Sequence, residues 1–155
     1  MYKIMSNWLY RNKEIKSLED LPIEVFGFIY ITTHIPTGKK YLGKKSLHHT
    51  TNVKLGKKEL ANIPITRGRT KLTKQVIKES DWKTYYGSED FIKQKIKDKN
   101  HHEFTREILH LVNNKKLLTY FECKYQFQLN VLESRDWLNS NILGKFYKKD
   151  FDTQN

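Results

Sequence analysis

Two short segments separated by a turn constrain this chain more than anything else in it. Phe28-Ile29-Tyr30-Ile31-Thr32-Thr33 is dense in β-branched and aromatic residues and follows Gly27, and Lys40-Tyr41-Leu42 runs back to a second glycine, Gly43. Between them, Pro36-Thr37-Gly38-Lys39 combines the fixed φ of proline with a glycine free to take positive φ, which is turn chemistry. The three pieces predict a β-hairpin. Alternation places Phe28, Tyr30 and Thr32 on one face of the first strand, and Lys39, Tyr41 and Gly43 on one face of the second. Tyr30 and Tyr41 can therefore share a face.

The rest of the chain reads around that hairpin. Phe104-Thr105-Arg106-Glu107-Ile108-Leu109-His110-Leu111 predicts a third strand, and Asn113 and Asn114 cap a long helix over 115–133. Leu118, Phe121, Tyr125, Leu129 and Leu132 recur at steps of three and four along it, an amphipathic stripe. A shorter helix starts at Ser88-Glu89-Asp90, with a capping serine, acids in the first turn, and Phe91, Ile92 and Ile96 on its buried side. Residues 1–25 read as an N-terminal arm packed on the domain through Trp8, Leu9, Leu18, Leu21 and Ile23, with Pro22 ending any helix. Residues 44–80 are weakly patterned and punctuated by Gly56, Pro64 and Gly68. They predict a long loop with one short helix around Leu72, Val76 and Ile77. The expected fold is α+β, a small antiparallel three-stranded sheet flanked by helices. A single domain would span 26–149, with a basic insertion at about 44–80 and a tail at 150–155.

Charge is distributed unevenly. Residues 1–38 sum to zero, residues 39–78 carry twelve Lys and Arg against Glu59 alone, and residues 79–155 carry thirteen against twelve acids. Nearly all of the net charge of +12 therefore sits in one 40-residue stretch. Such a concentrated block is a contact surface for a polyanion, nucleic acid first, or else a solvated basic loop. No apolar run approaches the ~20 residues that span a bilayer, and the first residues lack the pattern of a signal peptide. The single cysteine, Cys123, excludes an internal disulfide and a cysteine-based zinc site. These features predict an intracellular, cytoplasmic protein.

Glu122 is the chemically informative acid. It lies four residues after Leu118 and three before Tyr125, at the edge of the apolar stripe. A carboxylate there is costly unless a salt-bridge partner, a metal or a hydrogen-bond donor meets it. His48-His49 and His101-His102 have no carboxylate or cysteine at ligand spacing and read as surface histidines, although His48 or His49 could orient a water. Trp82, Tyr85 and Tyr86 read as core, with base stacking as the alternative.

Phe28-Ile29-Tyr30, followed eleven residues after its tyrosine by Tyr41-Leu42-Gly43, resembles the paired signature of the GIY-YIG nucleases, with Phe28 in place of the first glycine. Gly27 to Lys45, Ser80 to Ser88 and Phe104 to Leu109 resemble a phage-encoded, Seg-type endonuclease subgroup of that family, over residues ~7–149. The resemblance implies hydrolysis of DNA phosphodiester bonds, double-stranded DNA as partner, and a monomer or transient dimer on it. It also implies that a hairpin tyrosine accepts the proton of the attacking water while Glu122 holds Mg²⁺ or Mn²⁺. A carboxylate completed by waters and phosphate oxygens suits Mg²⁺. Tyr30 is assigned as general base and Tyr41 as an orienting or alternative base. Either needs cations to favour phenolate, and Lys40, Lys44 and Lys45 flank the second strand. Asn139 fills the family's C-terminal asparagine position, with Asn141 as rival and an ordinary turn residue as the plain reading.

One departure stands out. The arginine that many family members carry about ten residues after the second tyrosine is missing, since Thr50-Thr51-Asn52 occupies that neighbourhood. Lys45 is the nearest substitute as transition-state cation, with Arg67, Arg69 and Lys83 as alternatives. Lys40, Lys44, Lys57, Lys58, Arg67, Arg69, Lys71 and Lys83 are the candidate nucleic-acid contacts. The missing arginine also leaves open a catalytically silent nucleic-acid-binding protein on the same scaffold.

Overall fold

The computed structural model describes residues 6–63, 68 and 72–152, which divide into two compact units, His48–Ser80 and the residues on either side of it. In chain order the first strands are β1 (Trp8–Tyr10), β2 (Lys13–Ile15), β3 (Gly27–His34), β4 (Lys40–Ser46) and β5 (His48–Lys54). A short helix α1 (Lys57–Ala61), strand β6 (Thr73–Glu79), helix α2 (Asp90–Lys97) and strand β7 (Phe104–Val112) follow. Helix α3 (Lys115–Gln128) and the two-residue strands β8 (Asn141–Ile142) and β9 (Phe146–Tyr147) complete the list.

The larger unit is built on a five-stranded sheet of order β2-β1-β7-β3-β4, not the expected three-stranded one. The N-terminal arm supplies the extra pair. β1 lies parallel to β7, so the sheet is not purely antiparallel, and β2 returns antiparallel to β1. Arg11 and Asn12 join them with φ of 50° and 66°, the positive-φ pair of a tight hairpin turn. Three-residue strands around a turn without glycine leave little periodic signal, so the arm does not announce its pairing. The central hairpin forms as the sequence predicts, with Tyr30 opposite Gly43 and Thr32 opposite Tyr41. Pairing of β3 with β7 shifts register between Ile29 and Tyr30, a bulge that leaves Leu109 outside the ladder.

Each face of the sheet carries its own core. Phe28, Tyr30, Trp8, Trp82 and Ile108 pack on one face, and the rings of Trp8, Phe28 and Tyr30 meet edge-on at 4.8–6.2 Å. Such pairs contribute roughly 0.5–1.5 kcal/mol each beyond their buried area. On the other face Ile29, Leu42 and Val112 receive Leu118, Phe121 and Tyr125 of α3. Asn114 caps that helix by accepting from the Leu117 amide at 2.8 Å, as the sequence implies. The helix ends at Gln128, earlier than the predicted 133, and Asn130 turns the chain away with φ of 53°. At α2 the N-cap is Glu89 and not the expected Ser88, whose hydroxyl is used elsewhere.

His48–Ser80 is the second unit. The expected structureless loop is a two-stranded antiparallel ribbon, β5 on β6, in register from His48–Glu79 to Lys54–Thr73. The short helix expected around 72–77 is strand instead. β-Branched Val76 and Ile77 are adjacent, and β6 pairs with β5 from Thr73 to Glu79. Among the described residues of this unit the helix is α1. Arg67, Arg69 and Lys71 lie outside the described residues. Among the described residues no helix is long and apolar enough to cross a membrane.

Candidate active site

β4 is an edge strand, and the site grows along its free edge. Alternation sends Tyr41, Gly43 and Lys45 to the tyrosine face and Leu42 and Lys44 to the α3 face. Tyr30 lies across Gly43: a Cβ there would sit 2.5 Å from the Tyr30 phenol oxygen and 3.0 Å from the Tyr41 ring. Only glycine lets both phenols occupy that face. The two rings are 6.3 Å apart and tilted, and the Tyr85 ring stands 6.0 Å from Tyr30.

The segment after Trp82 is fitted to these rings. Gly87 has φ of 148°, and a Cβ on it would come within 3.1 Å of the Tyr41 ring. Next to it, Ser88 Oγ lies 2.6 Å from the Tyr41 phenol oxygen. Arg106 anchors the segment from below. Its guanidinium donates to the carbonyls of Lys83 (2.9 Å), Tyr85 (2.8 Å) and Ser6, and it stacks between Trp8 and Tyr86. Burial brings this arginine's pKa down to about 10. Thr32 adds a bond to the Tyr86 carbonyl at 2.5 Å.

Glu122 comes from the other side of the strand. Position eight of α3 puts it one turn after Leu118, reaching the free edge of β4, where Lys44 Nζ lies 3.9 Å from its carboxylate and 2.9 Å from Thr119 Oγ1. Burial raises the carboxyl's pKa, and Lys44 offsets this only in part. Tyr41, Lys44, Ser88, Glu122, Gln126 and Asn139 are among the residues lining one open cleft of about 640 Å³. Glu89 and Asp90 add acids to its rim. A desolvated carboxylate facing a polar cleft, with one lysine at ion-pair distance, is a fit for a hydrated divalent cation. No three His, Cys, Asp or Glu side chains cluster as ligands among the described residues, so such an ion would take most of its shell from water and substrate.

The predicted residues divide clearly. Tyr41, Lys44, Glu122 and Asn139 meet at the cleft. Tyr30 is wholly buried, and burial drives its pKa far above the usual phenol value. Tyr41, half-buried, is pushed up to about 12 by burial, while the bond from Ser88 pulls it down. The expected lowering of a phenol by neighbouring lysines is absent: desolvation raises both phenols, and Glu122 repels a phenolate. Lys45 turns instead to Asp81 (2.5 Å) and sits 4.1 Å over the Tyr85 ring. Asn139 is buried, and its amide both accepts from Leu42 N (3.0 Å) and donates to Leu42 O (2.8 Å). Together with the bonds of Lys40 to Asp136 and Leu138, it covers the free edge of β4 and fixes the strand that carries Tyr41. Lys40 and Lys83 are exposed on the same unit, and Lys57 and Lys58 are exposed on α1 of the other.

Sequence reasoning missed three participants. Arg106 follows Phe104 and precedes Ile108 on the inward face of β7, so alternation alone marked it as a buried arginine needing acceptors. Gln126, one turn after Glu122, is buried with its carbonyl oxygen unpaired among the described residues. The sequence marks Ser88 only as a helix cap.

No curated protein and no solved structure matches the chain. Residues 8–142 match the family described as "Putative endonuclease segE, GIY-YIG domain". That match runs from the first strand of the sheet to β8 and contains every cleft residue named above, so the chain belongs to the Seg-type branch of the GIY-YIG family.

Proposed function

We propose that this nuclease-family protein is a divalent-cation-dependent endonuclease that hydrolyses phosphodiester bonds of double-stranded DNA in the cleft along β4. The observation that carries the reading is the convergence of Tyr41 and the desolvated Glu122 on one cleft. Glu122 would hold the ion, Mg²⁺ or Mn²⁺, which when bound supplies positive charge against the phosphate oxygens. Tyr41, the phenol that reaches the cleft, first loses its own proton to solvent and then, as phenolate, takes the proton of the attacking water; Ser88 orients it and stabilises that ionised form. This reverses the sequence-based order of the two tyrosines, because Tyr30 is sealed from water. Tyr30 packs against the Tyr41 ring and is itself backed by Tyr85. Lys44 contributes charge at the cleft, and Lys45, bound to Asp81, stands beside it as a phosphate contact or transition-state cation.

The test is nicking of supercoiled plasmid with and without Mg²⁺. Cleavage should require the ion and vanish in Glu122→Ala while DNA binding persists; undiminished cleavage by that variant would remove Glu122 from the site. A second reading, a silent DNA-binding protein, is favoured by the protonated state of both phenols at neutral pH. It predicts salt-dependent binding with no nicking under any metal.

A further inference from the structure

The ribbon β5–β6 is a surface to which the cleavage chemistry assigns no task. Direct pairing puts Thr50 opposite Ile77, Asn52 opposite Gln75 and Lys54 opposite Thr73, so these six side chains share one face. All six are exposed, Ile77 to 72%. A β-branched apolar residue left so open gains nothing from the fold, and two adjacent carboxamides in solvent stabilise nothing either. The segment His48–Ser80 also holds eight Lys and Arg against two acids, so its charge complements a polyanion.

We infer that this face of the ribbon enters the major groove of duplex DNA and reads base edges there. A two-stranded ribbon fits a major groove ~12 Å wide. The side-chain types match what that groove displays. Asn52 and Gln75 each offer a donor and an acceptor in the geometry that pairs with adenine, and Thr50 and Ile77 offer methyl groups to thymine. Lys54, on the same face, supplies a contact to the flanking phosphates that sets position without sequence. Seven residues per strand at ~3.4 Å each cover roughly six base pairs. The ribbon is then the element that gives the nuclease a preferred site, and the inference rests on the proposed function only for its duplex DNA substrate.

The experiment is a binding selection with the full-length protein, without divalent cation, on a library of randomised DNA duplexes, with single-stranded DNA and duplex RNA of the same length as competitors. The wild type should enrich an A·T-containing motif no longer than about six base pairs. In Asn52→Ala/Gln75→Ala, preference for that motif over random duplex should fall about tenfold to a hundredfold. Its thermal midpoint should match wild type, since both residues are exposed. Lys54→Gln should instead weaken all duplexes alike. Failure of the wild type to enrich any motif, an unchanged motif in the amide variant, or stronger retention of RNA or single strands would overturn the inference. An enriched motif without Mg²⁺-dependent nicking would overturn the catalytic reading alone.

Discussion

Glu122 sets folding against function at a single carboxyl. Burial raises its pKa, so the folded chain holds that proton more tightly than the unfolded chain does. Stability then falls as pH rises from the ordinary glutamate value, about 4.3, through the raised folded value, and the full penalty stands above it. Glu122→Gln should therefore have a higher thermal midpoint than wild type at pH 7–8. The difference should close toward pH 4, where the carboxyl is protonated in both states. An equal midpoint across that range would mean that Lys44 already compensates the buried charge. At Tyr41 the sign is set by a pKa of about 12. A base that must first ionise gives a rate that climbs about tenfold per pH unit below that value. Ser88→Ala removes the bond that favours phenolate, so kcat should drop at every pH below the limb with KM little changed. Tyr41→Phe should cost more rate than Tyr30→Phe; the opposite order in single-turnover assays would restore Tyr30 as the base.

Between residue and molecule, the site depends on how a sheet edge and a loop are pinned. Arg106 holds three carbonyls of segments that would otherwise be free, two of them in the stretch leading to Ser88. Arg106→Met fills the volume but leaves those acceptors buried and unmet, which should destabilise the fold by about 3 kcal/mol or more. Arg106→Lys should not rescue it, because an ammonium cannot span several carbonyls as a planar fork does. Urea denaturation of both variants measures this. The same elements show what the sequence made legible. The β3–β4 hairpin, β7 and α3 carry clean periods of two or of three and four, and the shared face of Tyr30 and Tyr41 follows from parity alone. Parity does not say which phenol is open to water. That depends on Gly87 and Ser88, brought onto Tyr41 from 47 positions away by the Arg106 anchor. β1 and β2 are three residues each, too short to show a period, and β5–β6 lacks alternation because both of its faces are largely exposed. Asn139 was legible as a position but not as an amide that replaces a strand on Leu42.

For the molecule as a whole, a charge of +12 acts on two equilibria in opposite directions. Within the folded chain the excess cations repel one another, and salt screens this over a Debye length that shrinks from ~10 Å at 0.1 M. Among the described residues, ion pairs such as Lys16–Glu14 and Lys74–Glu59 are exposed on both sides, and exposed pairs are worth ~0–1 kcal/mol. Self-repulsion therefore dominates, and the thermal midpoint should rise as NaCl goes from 50 to 200 mM. DNA binding responds the other way, because each phosphate neutralised releases a counterion and lowers log affinity by ~0.9 per decade of salt. With the excess concentrated in residues 39–78, six phosphate contacts would cost about a thousandfold in affinity over the same range. Lys54→Gln should flatten that slope by roughly one contact while raising the midpoint slightly. Calorimetry and fluorescence anisotropy across one salt series read both quantities. A midpoint that fell with salt would show that ion pairing, not repulsion, governs the fold. An affinity insensitive to salt would take the phosphate backbone away as the partner of the basic block.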